Sequence, residues 1–346
     1  MKRIIAALLS AVMIAGTLSL TGCEKKTFRF AGSEYDYNTT EISVEGKVIS
    51  SFTELFSCES LTSLILENCE ITDNDLNAIS QLTGLKKLTL TNNKITDVSA
   101  LDELTELQVL SLAKNEISDI KPLASLSNLN YLDIGKNPVS NISELSKLEN
   151  LQVLYADETK ITDITPIENL TALEELYLSY DNILGFNALS DLRKLRVLDL
   201  HSSGLSGLGV LEELTNLEEL YIGENPDIKK FASLSKLESL KILYAQGDSI
   251  TDISCLSGLK NLKELDLTND SVADLSPLKN ISTLKILNIE GNYAVSKENV
   301  GEVMTALPGC EVTHSKLKTQ LELEMTAGTP DNAQKETDSK KTSSNS

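Results

Sequence analysis

Tryptophan is absent from this sequence, and aromatic residues make up only 4% of it. A chain so poor in large rings does not fill one wide core. Its 41% hydrophobic content, rich in leucine, points instead to many small cores in series. Basic residues are short too: 31 Lys and Arg face 51 Asp and Glu, a formal charge of −20. Phosphate backbones are held by concentrated cations, so nucleic acid is not an expected partner. The histidines are only two, His201 and His314, and no cysteine pair has metal-ligand spacing. A G-x-S-x-G elbow, an H-E-x-x-H helix and a phosphate-cradling glycine loop are all missing. No enzymatic activity, cofactor or metal is therefore expected.

What the sequence does have is leucine at one interval. Leu82, Leu104, Leu126, Leu148, Leu170, Leu192 and Leu214 are each 22 residues apart. One inserted residue near Asp227 moves the register to Leu237, and Leu259 and Ile281 follow at 22 again. An irregular first unit begins at Cys58, giving eleven units through about residue 292. Each reads LxxLxxLxLxxNxIxDIxxLxx, most cleanly in LTELQVLSLAKNEISDIKPLAS, residues 104–125. This pattern resembles the leucine-rich repeat family, specifically the 22-residue type of internalin-like bacterial surface proteins, over roughly residues 50–313.

The spacing has a physical reading. Leu110 and Leu112 flank an outward residue, so a short strand buries both, and Leu104, Leu107, Ile117, Ile120 and Leu123 fill the rest of the coil. One coil cannot close a core alone; stacked coils bury a continuous one. The expected fold is an α/β repeat solenoid rich in β. It is a curved stack of about eleven coils with a parallel sheet on the concave side and 3₁₀ turns on the convex side. Strands ~4.8 Å apart make it roughly 50 Å long. Asn93, Asn115, Asn137, Asn225 and Asn292 occupy the turn after the strand, where an amide can bond the backbone of two coils. Cys69, Thr159, Asp181, Ser203, Asp248 and Asp270 replace it elsewhere. Pro122, Pro166 and Pro277, after Lys121, Thr165 and Ser276, are read as first residues of convex turns, often behind a hydroxyl N-cap.

Covers are needed at both ends. Ser51 and Glu54 fit a capping box, and EISVEGKVIS (41–50) reads as a small hairpin. Val300, Val303, Met304 and Leu307 share one face of a helical C-terminal cap ended by Pro308-Gly309, after which CEV (310–312) adds a closing strand. Cys58, Cys69, Cys255 and Cys310 are expected as free, buried thiols, although export permits disulfides.

The chain opens like a secretion signal, residues 1–22: Lys2 and Arg3, then an uncharged apolar run. Leu20-Thr21-Gly22-Cys23 matches the lipobox of bacterial lipoproteins. Cleavage there would leave Cys23 to carry diacylglycerol, anchoring an exported protein to the membrane, and the charge would move from −20 to −22 with the loss of Lys2 and Arg3. Residues 23–49 form a tether and N-terminal segment, 50–313 the repeat domain with its caps, and 314–346 a polar tail of disordered composition.

Outward strand residues lie five, seven and nine places after each unit's first residue. The seventh place holds Tyr155, Tyr177, Tyr221 and Tyr244; Tyr131 holds a fifth place and Tyr180 follows a strand. Six of the nine tyrosines thus gather on or beside one face. Asp133, Asp157, Glu175, Asp199 and Glu219 share it, with Glu67, Glu264, Asp266 and Glu290 further along; Lys87 is its one basic residue, and His201 stands two places after Asp199. Tyrosine suits strands for packing reasons alone, but it also couples a large apolar area to a polar tip. The face is therefore a candidate for binding, and its acidity suits a basic or neutral partner. The family resemblance implies protein recognition by a monomer at the cell surface. Carbohydrate or peptidoglycan is the alternative, with tyrosines stacking on sugar rings.

Overall fold

Apolar residues at every second or third position give each coil one short strand and one tight turn, and neither can bury its leucines without a neighbour. The computed structural model describes residues 26–315. The signal segment, Cys23 and the tail beyond residue 315 lie outside the described residues. Among the described residues thirteen parallel strands, in chain order from Glu41–Glu45 to Glu311–Thr313, form one sheet. The eleven repeat units supply the inner strands, and one further strand closes each end.

The strands stay in register, so Leu154, Leu176, Leu198, Leu220 and Leu243 form one file. All five are fully buried. At ~1.5–3 kcal/mol per buried leucine, such files supply the main attraction between coils. Among the described residues ten short 3₁₀ turns lie opposite the sheet. Pro122, Pro166 and Pro277 stand second rather than first in theirs, behind Lys121, Thr165 and Ser276. The N-caps are apolar, Ile120, Ile164 and Leu275, rather than hydroxyls, and the aspartate before each, Asp119, Asp163 and Asp274, accepts the N–H two residues on, at 2.8–2.9 Å. The D of the repeat's DI pair is thus a turn residue.

The turn after the strand carries the backbone strain. Lys114, Lys136, Glu158, Tyr180, Ser202 and Glu224 all lie in the left-handed region, with φ from 51° to 61°. That conformation costs an L-residue roughly 1–2 kcal/mol. It recurs because the next residue ties the turn down. Asn137 accepts the Ile117 N–H at 3.0 Å and donates to the Leu112 and Ile134 carbonyls at 2.9 and 3.1 Å. Asn115 and Asn225 bond in the same way. These side chains form a buried ladder through the stack.

The ends depart from the expectations in four places. Residues 41–50 do not make a hairpin: Glu41–Glu45 pairs in parallel with Ser63–Glu67, because Ile42 and Val44 alternate inward and cover the core. The hairpin lies earlier, Thr27–Phe30 against Ser33–Asp36, and packs Phe30 on Phe52 with ring centroids 5.9 Å apart. Ser51 and Glu54 bond side chain to side chain at 3.1 Å before a 3₁₀ turn headed by Phe52. A reciprocal contact occurs instead at Thr72, whose N–H donates to Asp75 at 2.8 Å, starting a helix Asp73–Ile79 that the repeat pattern did not foretell. The C-terminal helix Lys297–Ala306 begins at Ser296 and buries Val300, Val303 and the following Leu307, while Met304 is 50% exposed at the edge of its apolar stripe. The strand Glu311–Thr313 closes the sheet on Ile286–Asn288. Cys58, Cys69, Cys255 and Cys310 are free thiols; the first two are buried and the others half-buried. Among the described residues no helix is long and apolar enough to cross a membrane.

Asn137→Ala would strand the buried Ile117 N–H and the Ile134 carbonyl, while the Leu112 carbonyl keeps the Asn115 amide at 2.9 Å; the expected loss is about 2–3 kcal/mol. Asn150, an exposed side chain that donates only to the Ser127 carbonyl, serves as the control. Denaturant unfolding should separate the two by most of that amount; equal losses would remove the ladder from the account.

Candidate binding face

Register brings the tyrosines together. Tyr155 and Tyr177 are cross-strand neighbours, with ring centroids 4.0 Å apart and planes within 6°. Tyr131 comes from a fifth place, opposite Val153, and leans its ring to 5.7 Å from Tyr155. Three coils thus carry one continuous run of rings. Tyr221 and Tyr244 form a second pair, edge to face at 5.3 Å. Between the groups, in register with both Tyr177 and Tyr221, lies Asp199, only 5% exposed. Val153, in register with Tyr131 and Glu175, and Val197, in register with Glu175 and Glu219, are buried, as packing residues should be.

Three of the phenol protons have partners within the face. Tyr177 donates to Glu175 at 3.0 Å, Tyr221 to Glu219 at 2.8 Å, and Tyr244 to Glu264 at 3.2 Å. Burial, reinforced by neighbouring carboxylates, pushes the Tyr131, Tyr177, Tyr221 and Tyr244 hydroxyls above the ordinary phenol range, and burial pushes Tyr155 up to about 12. They remain neutral donors. Burial also raises the carboxyls of Asp157, Glu175 and Asp199. Asp133, which accepts the Gly135 N–H and the Ser111 hydroxyl at 3.1 and 3.0 Å, is pushed up to about 6 by the same cause.

Asp199 and His201 do not form an acid–base couple. Asp199 accepts the backbone N–H of His201 at 2.9 Å, while the imidazole packs edge-on to Tyr180 at 5.0 Å with Nε2 3.6 Å from Glu224. Among the described residues no group of three or more His, Cys, Asp or Glu side chains is placed to hold a metal ion.

Two residues escaped the sequence reading. The Gln246 side chain lies across Gly223, where an added Cβ would come within 2.5 Å of its amide carbon; Asp157 leans on Gly135 in the same way, at 3.1 Å. Neither glycine has a positive φ, so each serves close approach and not backbone freedom. Glycine at an outward strand position was the available signal. Glu264, too, pairs with Tyr244 across coils, which spacing within one unit does not reveal.

The face residues singled out from the sequence lie on one surface: Tyr131, Asp133, Tyr155, Asp157, Glu175 and Tyr177 in one group, Glu219, Tyr221 and Tyr244 in another, Asp199 and His201 between. With the Tyr177, Tyr221 and Tyr244 phenol protons engaged, the remaining oxygens of their carboxylate partners are free to accept hydrogen bonds and attract cations.

Comparison with known proteins agrees with this architecture. A family model of two-copy leucine-rich repeats matches residues 105–147, 149–194 and 238–280, and a second leucine-rich repeat model matches residues 59–117. An internalin (inlF) from Listeria monocytogenes is 30% identical, with a TM-score of 0.73 over 84% of this chain and 88% of its own. A Leptospira interrogans leucine-rich repeat protein shares the fold at 23% identity and TM-score 0.62, over 75% of this chain and 74% of its own. So does the functional domain of InlJ from Listeria monocytogenes, which includes a cysteine ladder, at 19% identity and TM-score 0.58 over 80% and 73%. Among curated proteins none matches significantly. By the repeat models and the internalin similarity, the chain belongs to the internalin-like family of leucine-rich repeat proteins.

Proposed function

We propose that this chain is a lipid-anchored bacterial cell-surface protein that binds another protein through its tyrosine-bearing concave face. The observation that carries the reading is the pairing of three face glutamates with phenols: Glu175 with Tyr177, Glu219 with Tyr221, Glu264 with Tyr244. Such pairs hold amphipathic rings in fixed rotamers, which lowers the entropy lost on binding. They also leave acceptors outward, so the fitting partner presents donors, above all Lys and Arg side chains. Family membership supports a protein partner; the net charge of −20 supports a basic or neutral one.

Sugar stacking is less well served. Tyr155 and Tyr177 spend their facing surfaces on one another at 4.0 Å, and a glycan ring needs a free aromatic face.

The anchor rests on Leu20-Thr21-Gly22-Cys23 and the apolar run before it. In this reading residues 1–22 are removed, Cys23 carries the lipid, 24–49 lead to the repeats and 314–346 trail as a polar tail. The protein acts as a monomer, without a cofactor.

A soluble chain starting at Glu24, screened on immobilised protein ectodomains and glycans, should retain a protein. Tyr177→Ala or Tyr221→Ala should each cost about 1–3 kcal/mol of affinity with thermal stability matched; unchanged binding would confine the rings to sheet packing. Binding should weaken with added salt, and also as pH falls through about 6, where Asp133 takes up a proton and its charge is lost. Asp133→Asn should flatten that pH dependence. Finally, Cys23→Ser should move the protein from the membrane fraction to the medium, and retention at the membrane would exclude the lipid as anchor.

A further inference from the structure

Asp248 occupies the ladder place of the coil that carries Tyr244, behind the face and outside the binding reading. In an asparagine coil that place has two jobs. At Asn225, Oδ1 accepts the Ser203 and Leu205 N–H groups at 3.2 and 2.8 Å, and Nδ2 donates to the Leu200 and Ile222 carbonyls at 2.8 and 2.7 Å. Asp248 keeps the first job, its Oδ1 accepting the Asn225 N–H at 2.6 Å. Its second oxygen has no hydrogen-bond partner, and the residue is fully buried. That oxygen holds the place where other coils put an amide donor to carbonyl oxygens. An ionised carboxylate there would set negative charge among acceptors, away from water. A neutral carboxyl has the O–H that the place lacks.

The charged groups facing Asp248 do not offer relief. Asp270 in the next coil accepts the Asp248 N–H at 3.0 Å, and Glu224 lies in the coil before. Both are acids. Asp181 and Asp270 repeat the arrangement: Oδ1 takes an N–H of the preceding coil (Thr159 at 2.9 Å, Asp248 at 3.0 Å), and Oδ2 is buried without a partner. Around Asp181 the neighbouring charges are Asp157 and Glu158, and around Asp270 they include Asp266.

We propose that Asp248 is protonated in the folded chain and donates in place of an asparagine amide, so that the joint between the coils of Tyr221 and Tyr244 is held by a removable proton. Burial, with Asp270 and Glu224 adding to it, pushes the Asp248 carboxyl up to about 8, and burial pushes Asp181 and Asp270 up to about 6. Aspartate in an unfolded chain ionises near ~3.9. Between roughly pH 4 and pH 8 the folded chain therefore holds a proton that the unfolded chain does not. The favourable contribution is complete at acid pH, falls as pH rises, and is lost once pH passes the folded value. Over that window the folding equilibrium should change by approaching tenfold per pH unit for this one group. Because the Tyr221–Tyr244 ring pair straddles the joint, the device lies directly behind the face without depending on what the face binds.

The test is denaturant unfolding of the full chain from about pH 5 to about pH 9, for the parent, Asp248→Asn and Asp248→Ala. Asn supplies a permanent donor. Its variant should have a flatter pH profile by close to one proton and exceed the parent in stability at the alkaline end, while Ala should be weaker than Asn throughout. An unchanged slope in Asp248→Asn would overturn the proposal. So would stabilisation of the parent by calcium ions that Asp248→Asn abolishes, since a cation would then hold the place. A second measurement needs no variant: the infrared C=O stretch of a neutral carboxyl should persist in the folded parent near pH 7 and vanish on unfolding at that pH. Its absence from the folded parent would also overturn the proposal.

Discussion

A coil of this repeat cannot satisfy its own backbone. The chain turns sharply after every strand, several residues enter the left-handed region, and the N–H and C=O groups of that turn face inward. Buried polar groups without partners are costly. The bond from one ladder side chain to the backbone of two coils makes the turn affordable and fixes the spacing of the strands. Leucine files supply most of the attraction between coils, but they tolerate sliding. Ladder hydrogen bonds do not, because each has a direction and a specified partner.

Uniform spacing is what creates the face. Side chains from the seventh place of successive coils fall in line at strand distance, near the separation at which aromatic rings stack. Tyr155 and Tyr177 meet with planes within 6° because their strands are in register. Tyr131 reaches the run only by leaning from another place. Carboxylates two residues away, or one coil over, then accept the phenol protons. Order on the surface is inherited from the turns behind it, and the ladder is least regular there: Thr159, Asp181 and Asp248 replace asparagine in the coils of Tyr155, Tyr177 and Tyr244, and Ser203 does so in the coil between the two ring groups.

Most of the fold was legible because a repeat states its rule many times over. Leu82 through Ile281 announced the strands, the inward leucines and the number of coils, and Pro308-Gly309 marked the end of the cap. The ends were less legible, since they occur once and obey no period. Glu41–Glu45 alternates as a hairpin strand would, and only its position beside Ser63–Glu67 makes it the first parallel strand. Capping residues were also misassigned. A hydroxyl before proline fits the usual N-cap, but Asp119 and its equivalents stand closer to the free N–H. On the face, the sequence assigned side chains to outward places by spacing and said little about pairings across coils. Gly223 beneath Gln246 and Glu264 beside Tyr244 are contacts between units, absent from the pattern of either unit alone.

Side-chain footprinting by hydroxyl radicals, with and without a bound protein partner, tests the central claim most directly. Tyr155, Tyr177, Tyr221 and Tyr244 should lose reactivity on binding, while Leu184 and Tyr293, which are 79% and 86% exposed away from the ring pairs, should keep theirs. Protection of Leu184 or Tyr293 with the four tyrosines unchanged would place recognition elsewhere and leave the ring array a feature of sheet packing alone.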